Sequence, residues 1–317
     1  MKRLTESTEH PPSRVAVLLC TYNGQSYLAE QLDSFEKQEF TRWDMWASDD
    51  GSTDGTLAIL EAYRNQWGAD RLSIRSGPRN GFVANFLSLS CAPSIERDYY
   101  AYSDQDDVWM PDKLARAVAW LESVPRETPA LYFSREYLAD EAGHVTGISK
   151  LFNRPPSFAN ALVQCICRGH TIVYNHAASL LLREAGPQIP VASHDWWIYL
   201  LVTGAGGEVF YDTHPTVRYR QHELNVLGSN GSLAARWRRF RMLFGGTMKN
   251  WNDLNVAALY RLRHRLTAKN LHRLELFGEA RQKPLFARVA GLLRSGVHRQ
   301  SLGGTLAILV AAVFGRL

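Results

Sequence analysis

The chain has 317 residues, of which 45% are hydrophobic, 21% charged and 11% aromatic. That composition excludes wholesale disorder, a collagen-like chain and a small disulfide scaffold, and the length suits one large domain or two modest ones. The net charge of +5 is unevenly spread: residues 231–317 hold 16 Lys/Arg against Asp253, Glu275 and Glu279, which leaves residues 1–230 with 20 Lys/Arg against 28 Asp/Glu.

Such a basic region suggests a surface that meets something anionic, with nucleic acid and anionic lipid as the two candidates. No recognised nucleic-acid-binding module accompanies the charge, so no nucleic-acid partner is expected. Cys20, Cys91, Cys165 and Cys167 read as free thiols of a reducing cytosol, because the Cys165-Ile166-Cys167 pair lacks the second pair of a structural zinc site. Residues 1–13 read as a flexible, polar N-terminus without the apolar stretch of a signal peptide. The one long apolar run, 302–317, would make a helix of about 24 Å, short of the roughly 30 Å hydrocarbon core.

In chain order, Arg14–Cys20 is a nearly continuous apolar run, the mark of a strand buried on both faces, and it stops at the turn residues Thr21-Tyr22-Asn23-Gly24. Leu28, Leu32 and Phe35 then fall at helical spacing. Trp43–Ala47 predicts a second strand, ending at Ser48-Asp49-Asp50-Gly51-Ser52, with Thr53 and Asp54 expected to cap the helix that carries Leu57, Leu60 and Tyr63. Arg71–Arg75 is a third strand, followed by Gly77–Gly81 and an amphipathic stretch from Phe82 to Cys91. Tyr99–Ser103 is a fourth, running into Asp104-Gln105-Asp106-Asp107, and a helix with Leu114, Ala117, Val118 and Leu121 follows Pro111.

Four strand–loop–helix units in a row predict an α/β fold: a mostly parallel, Rossmann-like sheet flanked by helices, with ligands at the carboxyl ends of the strands. No Gly-x-Gly-x-x-Gly follows the first strand and no Gly-Lys-Ser/Thr phosphate loop occurs, so a dinucleotide site and a P-loop are excluded. The second half is less regular. Leu131–Ser134, Glu208–Tyr211 and Thr216–Tyr219 read as short strands, Asp140–Gly143 as a hairpin-like turn, and the chain from Ser232 onward as Arg-rich helices.

Several clusters carry chemistry. Asp104 and Asp106, one residue apart at a strand end, suit a hard divalent cation that could neutralise a diphosphate, against the plainer reading of a solvated acidic cap. Asp49 and Asp50 could accept the ring N–H of a base, and Arg79 could pair with phosphate. Asp195, between His194 and Trp196-Trp197, is either a helix cap or a general base beside an aromatic face for a sugar ring. The Arg236, Arg238, Arg239 and Arg241 stretch, with Trp237 and Phe240, either lies on an anionic membrane surface or packs with its arginines solvated.

Val17–Gly24, Ser48–Thr56, Asn80-Gly81 and Ser103–Trp109, in that order and spacing, resemble glycosyltransferase family 2, the inverting GT-A fold. His194-Asp195-Trp196 and Tyr219–Asn225 look like its bacterial rhamnosyltransferase-type members. The resemblance implies a GT-A catalytic domain over 14–230, with a nucleotide-sugar-binding half (14–125) and an acceptor-binding half (126–230), followed by a basic helical region, 231–317. It implies donor contacts from Thr21, Tyr22, Asn23, Asp49, Asp50, Arg79, Asn80, Asp104 and Gln105, without saying which carboxylate of the Asp49/Asp50 pair touches the base. A divalent metal, Mg²⁺ or Mn²⁺, would sit on Asp104 and Asp106 with His222 as a further contact. Asp195 would be the base, and His194, Trp196 and Trp197 would face the acceptor.

The implied partners are a nucleoside-diphosphate sugar, with rhamnose the preferred sugar, and a glycan or lipid-linked saccharide acceptor in bacterial surface polysaccharide (O-antigen-type) synthesis. The implied setting is the cytoplasm, peripheral at the inner face of the cell membrane. Asp104-x-Asp106 also fits the aspartate-nucleophile phosphatases, but there the nucleophile follows the first strand, whereas three units precede this one. A non-catalytic nucleotide-sugar-binding scaffold is the other alternative, and retention of Asp104, Asp106 and Asp195 together argues against it.

Overall fold

The computed structural model describes residues 13–222 and 246–317. Strand β1 (Val15–Thr21) is the centre of the first half, with β2 (Trp43–Asp49) and β3 (Leu72–Ser76) parallel on one side and β4 (Tyr99–Ser103) parallel on the other. Helices α1 (Leu28–Glu36), α2 (Thr56–Trp67), α3 (Gly81–Ser90) and, after the two-residue strand β5 (Val108–Trp109), α4 (Lys113–Leu121) complete the four expected units. The remaining strands are β6 (Ala130–Ala139), β7 (Val145–Ile148), β8 (Val173–Asn175) and β9 (Glu208–Arg220). The sheet order is β3-β2-β1-β4-β8-β6-β9-β5, with β7 paired to β6. The sheet is mixed, since β8 runs antiparallel to both β4 and β6 while β6 and β9 are parallel.

Alternation along β1 explains why its apolar run is uninterrupted. Val15, Val17 and Leu19 pack with Leu28, Leu32 and Phe35 of α1 and with Leu114 and Val118 of α4. Ala16, Leu18 and Cys20 face the other way, onto Phe86 of α3, Phe158 of α5 (Phe158–Ala161), Leu182 of α6 (His176–Ala185) and helix α7 (His194–Gly204), buried at every position but Asp195. Each strand position is therefore covered by a helix layer, and burying each Val or Leu contributes about 1.5–3 kcal/mol.

Four C-terminal helices, α8 (Thr247–Arg261), α9 (Ala268–Gln282), α10 (Leu285–Ser295) and α11 (Leu302–Val313), join the same cluster as α7 through Val256, Leu259, Leu274, Phe277, Leu292 and Ile308. Polar clamps fix them: Asn255 Oδ1 accepts from Ala192 N at 3.0 Å, and Asn270 Nδ2 donates to Thr203 O at 2.9 Å. Through these contacts residues 246–317 pack on the α/β body. The Arg236–Arg241 stretch, Glu223–Asn225 of the motif after β9, and most of the expected flexible N-terminus lie outside the described residues.

Two local expectations change. The strands at 208–211 and 216–219 are one strand, β9, with a register shift opposite Ser134/Arg135. Pro215 sits in that irregularity, where no ladder N–H is required. Thr53 and Asp54 do not cap α2, which starts at Thr56 after Gly55. Asp54 instead accepts from Thr56 N at 3.0 Å and Gln25 N at 3.1 Å, tying the first two loops together.

Candidate active site

Strand order reverses between β1 and β4, the position where open α/β sheets leave a crevice at the strand carboxyl ends. Gln105 closes the floor of this crevice by gripping the backbone of Tyr22. Its Oε1 accepts from Tyr22 N at 2.8 Å and its Nε2 donates to Tyr22 O at 3.0 Å. Gly24 makes room, because a Cβ there would fall 2.3 Å from Gln105 Oε1. The Tyr22 ring is left 58% exposed. Asn23, at φ +48°, receives Thr53 N on Oδ1 at 2.9 Å and donates its own N–H to Ser52 Oγ at 2.8 Å.

The carboxylates of the second loop divide by their partners. Asp49 accepts from Thr21 Oγ1 (2.9 Å), Gly51 N (3.1 Å), Ser52 N (2.8 Å) and Ser52 Oγ (2.5 Å), which fills its acceptor capacity. Asp50 accepts one donor per oxygen, Arg79 N at 2.7 Å and Gly81 N at 2.8 Å, and keeps capacity for another. Those bonds hold Arg79 in the left-handed region at φ +55° and lay its side chain over Gly51. Arg79 and Asn80 are exposed at the lip, beside a cavity of about 270 Å³ that Gly51, Ser52 and Arg75 help to line.

Behind β4 lies a charged cluster that sequence reasoning missed. His170, in the one-turn 3-10 helix Gly169–Thr171, is buried, with Nδ1 3.4 Å from Asp104 Oδ2 and 3.4 Å from Asp107 Oδ2. Its Nε2 lies 2.7 Å from Glu136 Oε2, its ring stacks on Tyr219 with centroids 5.0 Å apart, and its carbonyl receives Lys113 Nζ at 2.8 Å. Asp106 turns away from this group and shares a 2.7 Å hydrogen bond with His222 Nε2. Buried Arg220 ties the loop down, donating N–H to Asp107 Oδ1 at 3.2 Å and Nε–H to Asp106 O at 3.1 Å, and it ion-pairs with Glu30.

The electrostatics follow from burial and like charges. Burial raises the Asp107 carboxyl well above its ordinary value against the pull of His170, and burial with the Asp104 charge raises Asp106. Burial would lower His170, but Asp107, Asp104 and Glu136 outweigh it and raise the imidazole to about 10. Burial brings Lys113 down to about 7 against the two aspartates. Lys113, Glu136, His170, Tyr219 and Arg220 are thus functional neighbours of Asp104 without being its sequence neighbours. The local signal was the charged Arg168-Gly169-His170 in the largely apolar 158–173 segment.

One oxygen or nitrogen each from Asp104, Asp107 and His170 lie within 4.8 Å of one another, and Asp107 Oδ2 is buried without a hydrogen-bond partner. Oxygen donors from two carboxylates, one of them orphaned, fit a hard divalent cation. The expected Asp104/Asp106/His222 set divides here: Asp104 converges with Asp107 and His170, and Asp106 with His222.

Asp195 stands in the first turn of α7, where the helix dipole favours a negative charge. Its Oδ1 accepts from Ser193 Oγ at 2.5 Å and Trp196 N at 2.7 Å. Gly169 links it to the other carboxylates: a Cβ on Gly169 would lie 2.8 Å from His194 Nε2 and 3.8 Å from Asp195 Cβ, while the next residue is His170. The aromatic neighbours are placed differently from the expected acceptor face. Trp196 and Trp197 are core residues, since α7 is buried all round, and Trp196 Nε1 donates to Ala161 O at 2.6 Å. His194 is buried too, stacked on Phe86 at 3.9 Å, and burial lowers its pKa.

Fold and site together define an α/β protein with a carboxylate-lined switch-point crevice. The model of glycosyl transferase family 2 matches residues 16–165, which identifies this part of the chain as a domain of that family. It is a glycosyltransferase that draws its sugar from a nucleotide sugar. The dTDP-rhamnosyl transferase RfbG of Shigella flexneri is 28% identical over 71% of this chain and 78% of its own length. Residues 1–349 of TarS from S. aureus, in complex with UDP-GlcNAc, share the fold at a TM-score of 0.52 and 18% identity, over 89% of each chain. The mannosyltransferase PcManGT from Pyrobaculum calidifontis, in complex with GDP-Man and Mn²⁺, does so at 0.50 and 20% identity, over 96% of this chain and 86% of that one. These likenesses show the GT-A fold.

Proposed function

We propose that the protein is a metal-dependent inverting transferase that moves a sugar, rhamnose by preference, from a nucleoside-diphosphate sugar to a hydroxyl of a glycan or lipid-linked saccharide in bacterial surface polysaccharide synthesis. The observation that carries this reading is the Gly169-His170 turn, which sets Asp195 on one side and the Asp104/Asp107 carboxylates on the other. The donor sugar finds support in the name of the Shigella flexneri relative, and the metal in the Mn²⁺ of the Pyrobaculum calidifontis mannosyltransferase complex.

In this reading Tyr22 and Asp50 hold the base and ribose, with Thr21, Asn23 and Asp49 bracing them, and Arg79 and Asn80 reach the diphosphate from the lip. Asp104, with Asp107 and His170 behind it and Asp106 and His222 beside it, would hold Mg²⁺ or Mn²⁺, which supplies neutralising charge to the departing diphosphate. Asp195 uses its Oδ2, since Oδ1 is occupied, to take the acceptor hydroxyl proton as that oxygen attacks the anomeric carbon. The bond to the nucleoside diphosphate breaks with its electron pair on the phosphate oxygen, and the anomeric configuration inverts. The enzyme works in the cytoplasm, at the anionic inner face of the membrane through its basic region, 232–317.

Calorimetric titration with dTDP-rhamnose, UDP-glucose and GDP-mannose, each with Mn²⁺ and with EDTA, tests the proposal. Binding of one donor that EDTA abolishes is expected. A folded protein that binds none of them, or binds equally well in EDTA, overturns the metal-dependent donor site.

A further inference from the structure

Helices α10 and α11 present apolar side chains where a solvent-facing helix is ordinarily polar. Phe286 and Leu293 of α10 are 88% and 63% exposed, and Leu302 and Leu306 of α11 are 84% and 62% exposed. Val313 and Phe314 continue the α11 stripe, also exposed. The opposite faces, with Leu292, Ile308 and Ala312, enter the shared core, so the outward stripe is not a misplaced core face. The helices run antiparallel: Arg288 Nη1 donates to Ala312 O at 2.7 Å, which sets the start of α10 beside the end of α11. Phe286 and Phe314 therefore share one end of the pair, and Leu293 and Leu302 the other.

Helices α10 and α11 carry no carboxylate, and the nearest acidic residue along the chain, Glu279, is paired with Lys283 at 2.9 Å. No Asp or Glu occurs from Ala280 to Leu317, while Arg294 adjoins Leu293 and Arg316 adjoins Phe314, both arginines exposed. A second copy of the chain, packed on this face about a two-fold axis, would bring these arginines together on helices that carry no carboxylate of their own. An anionic bilayer supplies an apolar layer and phosphate acceptors at once. None of the described helices is long and apolar enough to cross a membrane, so contact is with one leaflet.

We propose that the outer faces of α10 and α11 seat on an anionic lipid surface, with Phe286, Leu302 and Leu306 below the headgroups and Arg294 and Arg316 on the phosphates. The proposal rests on the membrane-surface reading above and assigns the contact to this face. The full chain is floated with phosphatidylglycerol-containing vesicles and with pure phosphatidylcholine vesicles. The wild type is expected to float with the first and, by roughly tenfold, less with the second.

The triple variant Phe286→Ser, Leu302→Ser, Leu306→Ser should lose roughly tenfold of that binding while keeping nucleotide-sugar binding, which reports that it is folded. Arg294→Gln with Arg316→Gln, which leaves the apolar face intact, should weaken binding to the anionic vesicles alone. A triple variant that floats like wild type overturns this face and leaves an anchor elsewhere in 232–317. Failure of the wild type to float overturns both the face and the membrane reading. A wild-type dimer in light scattering that the triple variant converts to monomer overturns the lipid in favour of a second copy.

Discussion

His170 and Asp104 meet ring nitrogen to carboxylate oxygen at 3.4 Å, and the same nitrogen is 3.4 Å from Asp107. One buried imidazole thus spaces the two carboxylates, and Glu136 at 2.7 Å fixes its other nitrogen. Removing His170 leaves Glu136 and Asp107 buried without their shared partner. His170→Ala should cost about 3–5 kcal/mol of stability and weaken metal-dependent donor binding. Chemical denaturation beside donor titration measures both; unchanged stability would rule out the buried network as described.

Asp195→Asn keeps the hydrogen bonds of the side chain to Ser193 and Trp196 within reach but removes the proton acceptor. Transfer should fall by about 10²–10⁴-fold, the usual contribution of a general base, with donor affinity unchanged. Single-turnover rates at saturating donor decide it, and near-wild-type turnover removes Asp195 from that role.

Gly169→Ala places a methyl 2.8 Å from His194 Nε2, closer than side-chain carbons approach. The turn or α7 must shift, displacing Asp195 relative to Asp104. The expected signature is a fall in kcat of roughly tenfold or more with donor KM little changed, since small misplacements of a base are costly. A pure KM effect would mean that the turn positions only the donor.

Trp197 is fully buried, so Trp197→Ala should behave as a core deletion, at about 3–5 kcal/mol. Thermal unfolding reads the loss. If stability held and acceptor KM rose instead, the residue would belong to the acceptor site after all.

Asp212 gives a pH dependence remote from the crevice. Burial pushes its carboxyl up, but Arg116 (2.7 and 3.1 Å) and Tyr132 Oη (2.6 Å) outweigh this and hold it below the ordinary value. A depressed folded-state pKa stabilises above the unfolded value of about 3.9 and is lost as pH falls through the folded one. Wild-type melting temperature should therefore drop on acidification below about pH 4 more steeply than that of Asp212→Asn; parallel curves would exclude the linkage.

The sequence by itself determined the first half of the sheet, the position of the crevice and the family. Strand burial is written locally: a short apolar run such as 15–20, bounded by turn residues and repeated in strand–loop–helix units, reads as a strand covered on both faces, with the polar residues at its carboxyl end on the ligand edge. Tertiary structure decided what local pattern does not encode. Asp49 and Asp50 look alike in sequence, yet Thr21 and Ser52 saturate the first while the second keeps capacity. Trp196 and Trp197 flank the candidate base in sequence, yet a helix buried on all sides takes both into the core. His170, Glu136 and Lys113 come from separate elements, and only the meeting of β4, β6, α4 and the 169–171 turn sets them behind Asp104. Packing between distant elements fixes which polar groups share a buried site, and neither hydrophobic period nor turn chemistry carries that information.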